Sequence, residues 1–314
     1  MMNRCLACSI TILVLWPVYC AAQPPKSGGQ AESFEPAQAP AASAETLESV
    51  PPVAVAQVVD AARLAAIELR SDVCFHEVDG VRLLADFFRP PISGDVPVLL
   101  VIHGGGWVAG DKSHITSHAY RIAAEGFAVL SINYRLAPRY PFPAQLEDVY
   151  AALRYIDQNA DSLRIDRSRI GVWGYSAGGH LAALASVYPQ PGTPRPVVCV
   201  AGGAPCDFTR IPARSTALAA FLGGPRAERE ETYTIASPAT HASADDPPMF
   251  FINGDSDLLV PQANSMKLRK RLDEAGVTTA VYTAKFQGHM ATFLNLNAVD
   301  AGIDFVSLYL KATD

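Results

Sequence analysis

From residue 72 to the C-terminus, short apolar runs alternate with longer segments whose apolar residues recur every three or four positions. The runs at 98–102, 128–133, 170–173, 196–200, 249–252 and 280–286 are rich in Val, Ile and Phe and read as strands. The segments around 117–125, 144–158, the stretch just after Ser176, 262–275 and 291–310 carry helical spacing. Ahead of them, 72–78 and 81–88 are two strand-like runs joined by Asp79-Gly80, a hairpin turn signal. Strands that alternate with helices predict an α/β fold: a mostly parallel, twisted sheet with helices on both faces. Residues 207–245 break this rhythm with Pro, Ala and charge, and are expected to form loops and short helices over the functional site.

The N-terminal quarter has a different texture. Residues 1–22 hold one basic residue, Arg4, an apolar core at 6–18 and small residues at Cys20, Ala21 and Ala22, the pattern of a secretory signal peptide cleaved after Ala22. The apolar core is short for a membrane span, so export is expected, with no stable membrane insertion after removal of the signal. An uncleaved anchor and a lipoprotein site at Cys20 are the competing readings. Residues 23–55 are rich in Ala, Pro, Gln, Ser and Glu, lack the apolar density that offsets ordering entropy, and read as a disordered tether. Apolar positions in 53–69 recur near helical spacing, which predicts a docking helix covering one edge of the functional site. One folded α/β domain is expected over 56–314.

Composition narrows the options. A chain of 314 residues leaves about 240 for the alternating region, ordinary for one well-buried domain. A formal charge of -6 offers no basic stripe and argues against nucleic acid as a partner. Cys5, Cys8 and Cys20 fall in the leader. Cys74, Cys199 and Cys206 remain, of which Cys199 and Cys206 either bridge or stay as buried thiols. No Cys or His spacing suggests a metal site, and no cofactor is expected.

The candidate chemistry lies at the strand ends. Gly174-Tyr175-Ser176-Ala177-Gly178 follows the run at 170–173 and opens a helical stretch, as a nucleophile elbow does. Alone the pattern is weak, since three fixed positions at about 7% frequency recur by accident in roughly one chain in ten of this length. Its surroundings strengthen it. Residues 98–102 run into His103-Gly104-Gly105-Gly106-Trp107, a glycine loop able to aim backbone N–H groups at an oxyanion. Residues 249–252 end in a loop holding Asp255 and Asp257, and the last strand leads to Gly288-His289. Serine, acid, histidine is the α/β-hydrolase order. Ser176 is therefore the candidate nucleophile and His289 the general base. The acid is Asp255 or Asp257, which spacing does not separate, with Asp207 a distant third. Ala177, Gly105 and Gly106 are the candidate oxyanion donors, and Trp107, Tyr175 and Phe221 candidate pocket walls. His103, His180 and His241 read as structural or loop-ordering groups, and His76, His114 and His118 as surface or second-layer residues.

The stretch 72–312 resembles the α/β-hydrolases, and within them the hormone-sensitive-lipase-type and feruloyl- or acetylxylan-esterase-like (BD-FAE-like) proteins. The resemblance rests on residues 103–107 followed by Gly110-Asp111-Lys112, on Tyr134-Arg135-Leu136-Ala137-Pro138, on 174–180, on 253–261 and on Gly288-His289. It favours Asp257 as the acid, because relatives place that residue three positions before the Val-Pro found here as Val260-Pro261. Two positions depart: Arg139 follows Pro138 where many relatives have Glu, and Asn253 stands where His is common. The resemblance implies a serine-dependent carboxylic ester hydrolase with an acyl-enzyme intermediate, a short-chain carboxylesterase or an acetyl/feruloyl-type esterase. Its substrate would be a small-molecule or saccharide-linked ester. Competing readings are an amidase or peptidase of the same fold, such as an arylformamidase-like enzyme, and a noncatalytic binding protein that keeps the fold.

Overall fold

The computed structural model describes residues 61–311; the expected signal peptide, tether and residues 53–60 lie outside the described residues. In chain order the strands are β1 (Glu68–Val78), β2 (Val81–Arg89), β3 (Val96–Ile102), β4 (Ala128–Ile132), β5 (Ile165–Tyr175), β6 (Val198–Gly202), β7 (Met249–Gly254) and β8 (Thr279–Ala284). The helices are α1 (Ala61–Ala65), α2 (Thr116–Ala124), α3 (Ala144–Gln158), α4 (Ala160–Leu163), α5 (Ala177–Val187), α6 (Ala219–Leu222), α7 (Glu230–Ile235), α8 (Ala263–Glu274), α9 (His289–Phe293) and α10 (Leu296–Leu310).

The eight strands form one sheet in the order β1-β2-β4-β3-β5-β6-β7-β8. β2 pairs antiparallel with β1 and β4, and every pair from β4 to β8 is parallel. Side chains alternate across this sheet. In β3, Val98, Leu100 and Ile102 join the apolar core shared with α3, α5 and α8, while Leu99 and Val101 join the core under α2 and α10. Both faces are covered, so the central strand is apolar throughout. The loops that leave β3, β5, β6, β7 and β8 therefore emerge at one edge of the sheet, the carboxyl end of its parallel strands.

Two expectations are corrected. The docking helix predicted at 53–69 is, in its described part, only the five residues of α1; from Glu68 the backbone pairs with Arg89 of β2, so ladder hydrogen bonding overrides the helical spacing. Nor does α1 border the carboxyl end of the parallel strands. Leu64 packs on the core that α2 lines, and Arg63 lies 3.9 Å from Glu125, just ahead of β4 and at the opposite end of the sheet. The single helix expected at 291–310 is split into α9 and α10. Asn295 takes an extended conformation (φ -77°, ψ 105°) and its side chain accepts from the Ala298 N–H, an N-cap that starts a new helix. All three described cysteines are free, and burial pushes the Cys199 thiol up to about 12.

Candidate active site

The turn after β5 is held by close backbone contacts. Ser176 sits at φ 57°, ψ -123°, between the end of β5 and the start of α5. A Cβ on Gly174 would lie 2.1 Å from the Gly178 carbonyl oxygen, and one on Gly178 only 2.0 Å from that of Ile102. Glycine at both positions is thus a steric requirement of the elbow. The Ser176 N–H donates to the Gly202 oxygen at 2.7 Å, tying the turn to the end of β6. Ala177 opens α5, where its N–H is among the four that no intrahelical carbonyl reaches.

The glycine loop after β3 passes directly beside this turn. A Cβ on Gly104 would stand 3.2 Å from that of Ser176. Gly105, Gly106 and Trp107 follow at φ 124°, 60° and 62°, and the Gly105 carbonyl accepts from Val108 and Ala109. A Cβ on Gly105 would collide with the Ala109 oxygen at 2.0 Å. The curl begins at Gly104, the residue that lies against the serine.

Asp257 and His289 come together where the loops that follow β7 and β8 meet. Asp257 Oδ2 and His289 Nδ1 are 2.6 Å apart, both nearly buried. Asp257 Oδ1 accepts from the Leu259 N–H at 2.9 Å and the Val260 N–H at 2.8 Å, which fixes the carboxylate plane. The Nε2 atom of His289 is buried and has no hydrogen-bond partner among the described residues. The imidazole rests on the backbone after β6, since a Cβ on Gly203 would lie 2.9 Å from its Cε1. The two aspartates that spacing left open have different partners. Asp255 Oδ1 instead accepts from the Phe286 N–H at 2.6 Å, and Asp207 binds Thr209 and the Lys267 ammonium.

The three aromatic residues expected at the pocket wall are all buried. Tyr175 donates its hydroxyl proton to the His289 carbonyl oxygen at 2.7 Å, so it braces the His289 backbone. Trp107 and Phe221 stack at 4.1 Å with nearly parallel rings. The Trp107 indole N–H donates to His180 Nδ1 at 3.2 Å; that donor leaves the His180 proton on Nε2, which donates to the Ala236 oxygen at 2.7 Å. His103 donates from Nδ1 to the Gly104 oxygen at 2.7 Å and stacks on Tyr134 at 4.3 Å. Tyr134 opens a second buttress. Arg135 is held by the buried Asp148 at 2.9 Å, and the Ala137 N–H donates to the Trp107 oxygen at 2.9 Å. Sequence reasoning missed Gly202, Gly203 and Asp148, whose contributions are backbone contacts or partners remote along the chain. At the two departures from the family pattern, Arg139 lies over the Tyr140 ring and Asn253 accepts from the Ser265 hydroxyl. Among the described residues no group of three or more His, Cys, Asp or Glu is placed to hold a metal ion, and no helix is long and apolar enough to cross a membrane.

His103, His118 and His180 share one electrostatic property: burial pushes each down to about 4. An unfolded imidazole takes up its proton near pH 6.5. The stability gained by keeping the folded rings neutral is therefore complete above about pH 6.5 and is lost as the pH falls toward 4. The melting temperature is expected to drop steadily from pH 7 to pH 4.5, with a shallower slope in His118→Gln. Equal slopes for the two proteins would show that His118 does not carry this linkage.

The BD-FAE family model matches residues 85–272, more than half of the chain. Among curated relatives, the chain is 34% identical over 219 residues to a probable carboxylic ester hydrolase, LipM, of Mycobacterium tuberculosis, covering 63% of this chain and 50% of that protein. It is 29% identical over 238 residues to the esterase LipQ of the same organism, covering 70% and 56%. The chain thus spans about half the length of the curated relatives it matches. Solved structures agree in fold. A truncated carbohydrate esterase from gut microbiota superposes with a TM-score of 0.69 at 25% identity, covering 78% of this chain and 97% of that one. A bacterial heroin esterase gives 0.68 at 26%, covering 81% and 88%. The sheet order, the elbow and these likenesses make the architecture an α/β-hydrolase fold, and the chain belongs to the BD-FAE family.

Proposed function

We propose that this chain is a serine-dependent carboxylic ester hydrolase that works through an acyl-enzyme. The observation that carries the reading is the buried Asp257–His289 pair, whose free Nε2 lies across the Gly202–Gly203 backbone from an elbow that ends in Ser176. A serine hydroxyl is a weak nucleophile until a base takes its proton. In the proposed cycle Ser176 Oγ attacks the ester carbonyl carbon while its proton passes to His289 Nε2. Asp257 steadies the imidazolium at Nδ1, and the N–H groups of Ala177, Gly105 and Gly106 receive the oxyanion. The intermediate collapses, the carbon–oxygen bond to the alcohol breaks, and the departing oxygen takes the proton from Nε2. Water then repeats the sequence on the acyl-serine and frees the acid. The names of the relatives support an ester as substrate. Short acyl groups of the acetyl type are part of this reading, in keeping with Trp107 and Phe221 being buried and stacked on each other. We also read residues 1–22 as an export signal, on composition alone.

A fluorophosphonate or sulfonyl fluoride is expected to add one label per chain, on Ser176, and to abolish ester hydrolysis in proportion. Intact-mass and peptide analysis that finds no label, or a label elsewhere, would overturn the assignment.

A further inference from the structure

Exposed apolar side chains are not scattered over this molecule. Of the eleven large ones left in solvent among the described residues, six are Leu258, Leu259, Phe286, Met290, Leu294 and Leu296. All belong to the loop that carries Asp257 or to the segment that carries His289. The two loops are fastened to each other. The Ser256 N–H donates to the Gln287 oxygen at 3.1 Å, and a Cβ on Gly288 would stand 3.6 Å from the Ser256 oxygen. Single exposed leucines need no explanation, but a group of large apolar side chains concentrated around one site does.

Phe286 is the sharpest case. It is 92% exposed and its backbone sits at φ 58°, a region that a bulky residue seldom enters. That strain is held in place by Asp255, which accepts the Phe286 N–H at 2.6 Å. The fold therefore spends a carboxylate on keeping an aromatic ring out of the core and in the water, three residues before the base. Leu258, 93% exposed, stands next to the acid. Backbone strain of this kind persists where the surroundings over-determine it, and it clusters at ligand sites.

The chemistry of the proposed reaction says which part of a substrate meets these side chains. His289 Nε2 must hand its proton to the departing alcohol oxygen, so the alcohol lies on the histidine side of Ser176. From the geometry we infer that Leu258, Phe286 and Met290 form an apolar shelf for the alcohol part of the ester, and that the preferred substrates are esters of alkyl or aryl alcohols in place of sugar hydroxyls. Asp255 acts as a positioning residue for that shelf. This inference rests on the ester-hydrolase reading.

The test compares esters that share the acetyl group and differ only in the alcohol, all below their aggregation limits. Each methylene that reaches the shelf can gain up to about fourfold in kcat/KM. The wild-type chain is expected to prefer hexyl acetate over methyl acetate by at least about tenfold, with acetylated glucose below hexyl acetate. In the Phe286→Asn/Leu258→Ser variant, whose asparagine tolerates the left-handed backbone, the hexyl-to-methyl ratio is expected to fall about tenfold, chiefly through KM. The ratio for ethyl hexanoate over ethyl acetate, which probes the acyl side, is expected not to follow it. Leu308→Ser, at an exposed position on α10, is expected to leave the hexyl-to-methyl ratio unchanged. A wild-type ratio near one, or a ratio unmoved in the double variant, overturns the shelf while labelling of Ser176 upholds the catalytic reading. An unmoved ratio with lost sedimentation on phosphatidylcholine vesicles, or with a changed oligomeric state, would assign the patch to a lipid surface or to a second copy and likewise overturn it. Absence of both ester turnover and Ser176 labelling would remove the two readings together.

Discussion

Ser176→Ala is expected to lower kcat on a small ester by about three to six powers of ten while the protein melts as before. The substitution deletes the atom that forms the acyl-enzyme and leaves the proposed oxyanion donors, which are backbone groups of Ala177, Gly105 and Gly106. Some residual hydrolysis by water in that cradle is therefore expected. The elbow should survive, because the serine side chain makes no capping hydrogen bond to α5 and the turn is held by the Ser176 N–H on Gly202 and by the close glycine contacts. Steady-state kinetics beside a thermal melt decides the matter. A variant within tenfold of wild type would move the nucleophile elsewhere.

Asp257→Asn is expected to cost about four powers of ten in kcat, for a reason that lies in the loop geometry. Oδ1 is fixed by two donors, the Leu259 and Val260 N–H groups. An asparagine must keep its oxygen there and turn its NH2 toward His289 Nδ1. The imidazole then has to accept at Nδ1 and carry its proton on Nε2, the tautomer that is unable to take a proton from Ser176. Asp255→Asn retains an acceptor for the Phe286 N–H and is expected to cost no more than about tenfold. Comparison of the two variants by kcat under saturating substrate is the check, and the opposite ranking would make Asp255 the acid.

The centre of the parallel sheet was legible because β3, β4, β6 and β7 are short apolar runs, and because burial on both faces leaves no polar alternation to confuse the pattern. The candidates Ser176 and His289 could be singled out in the sequence for a related reason: each occupies the single position its strand end offers. Asp255 and Asp257 were not separable, since both follow β7 within three residues and only the bend at Gly254–Ser256 turns one of them inward. The break between α9 and α10 hung on the local competition of the Asn295 side chain with the helix, which apolar spacing does not register. The aromatic residues near the site illustrate a third limit. A pattern can mark Trp107 and Phe221 as large and central, but whether such rings face a cavity or each other depends on tertiary packing.

None of the eleven residues of α5 is exposed, whereas the loops bearing Asp257 and His289 hold Leu258 and Phe286 in solvent. The proposed triad thus straddles regions of unequal opening free energy. Amide protons in α5 are expected to be released by opening of the whole core, and those of the two loops through local excursions. On that expectation the proposed triad comes apart and re-forms without the molecule unfolding. Reversible loss of turnover on warming then reports on the loops, and permanent inactivation reports on the helix behind the serine.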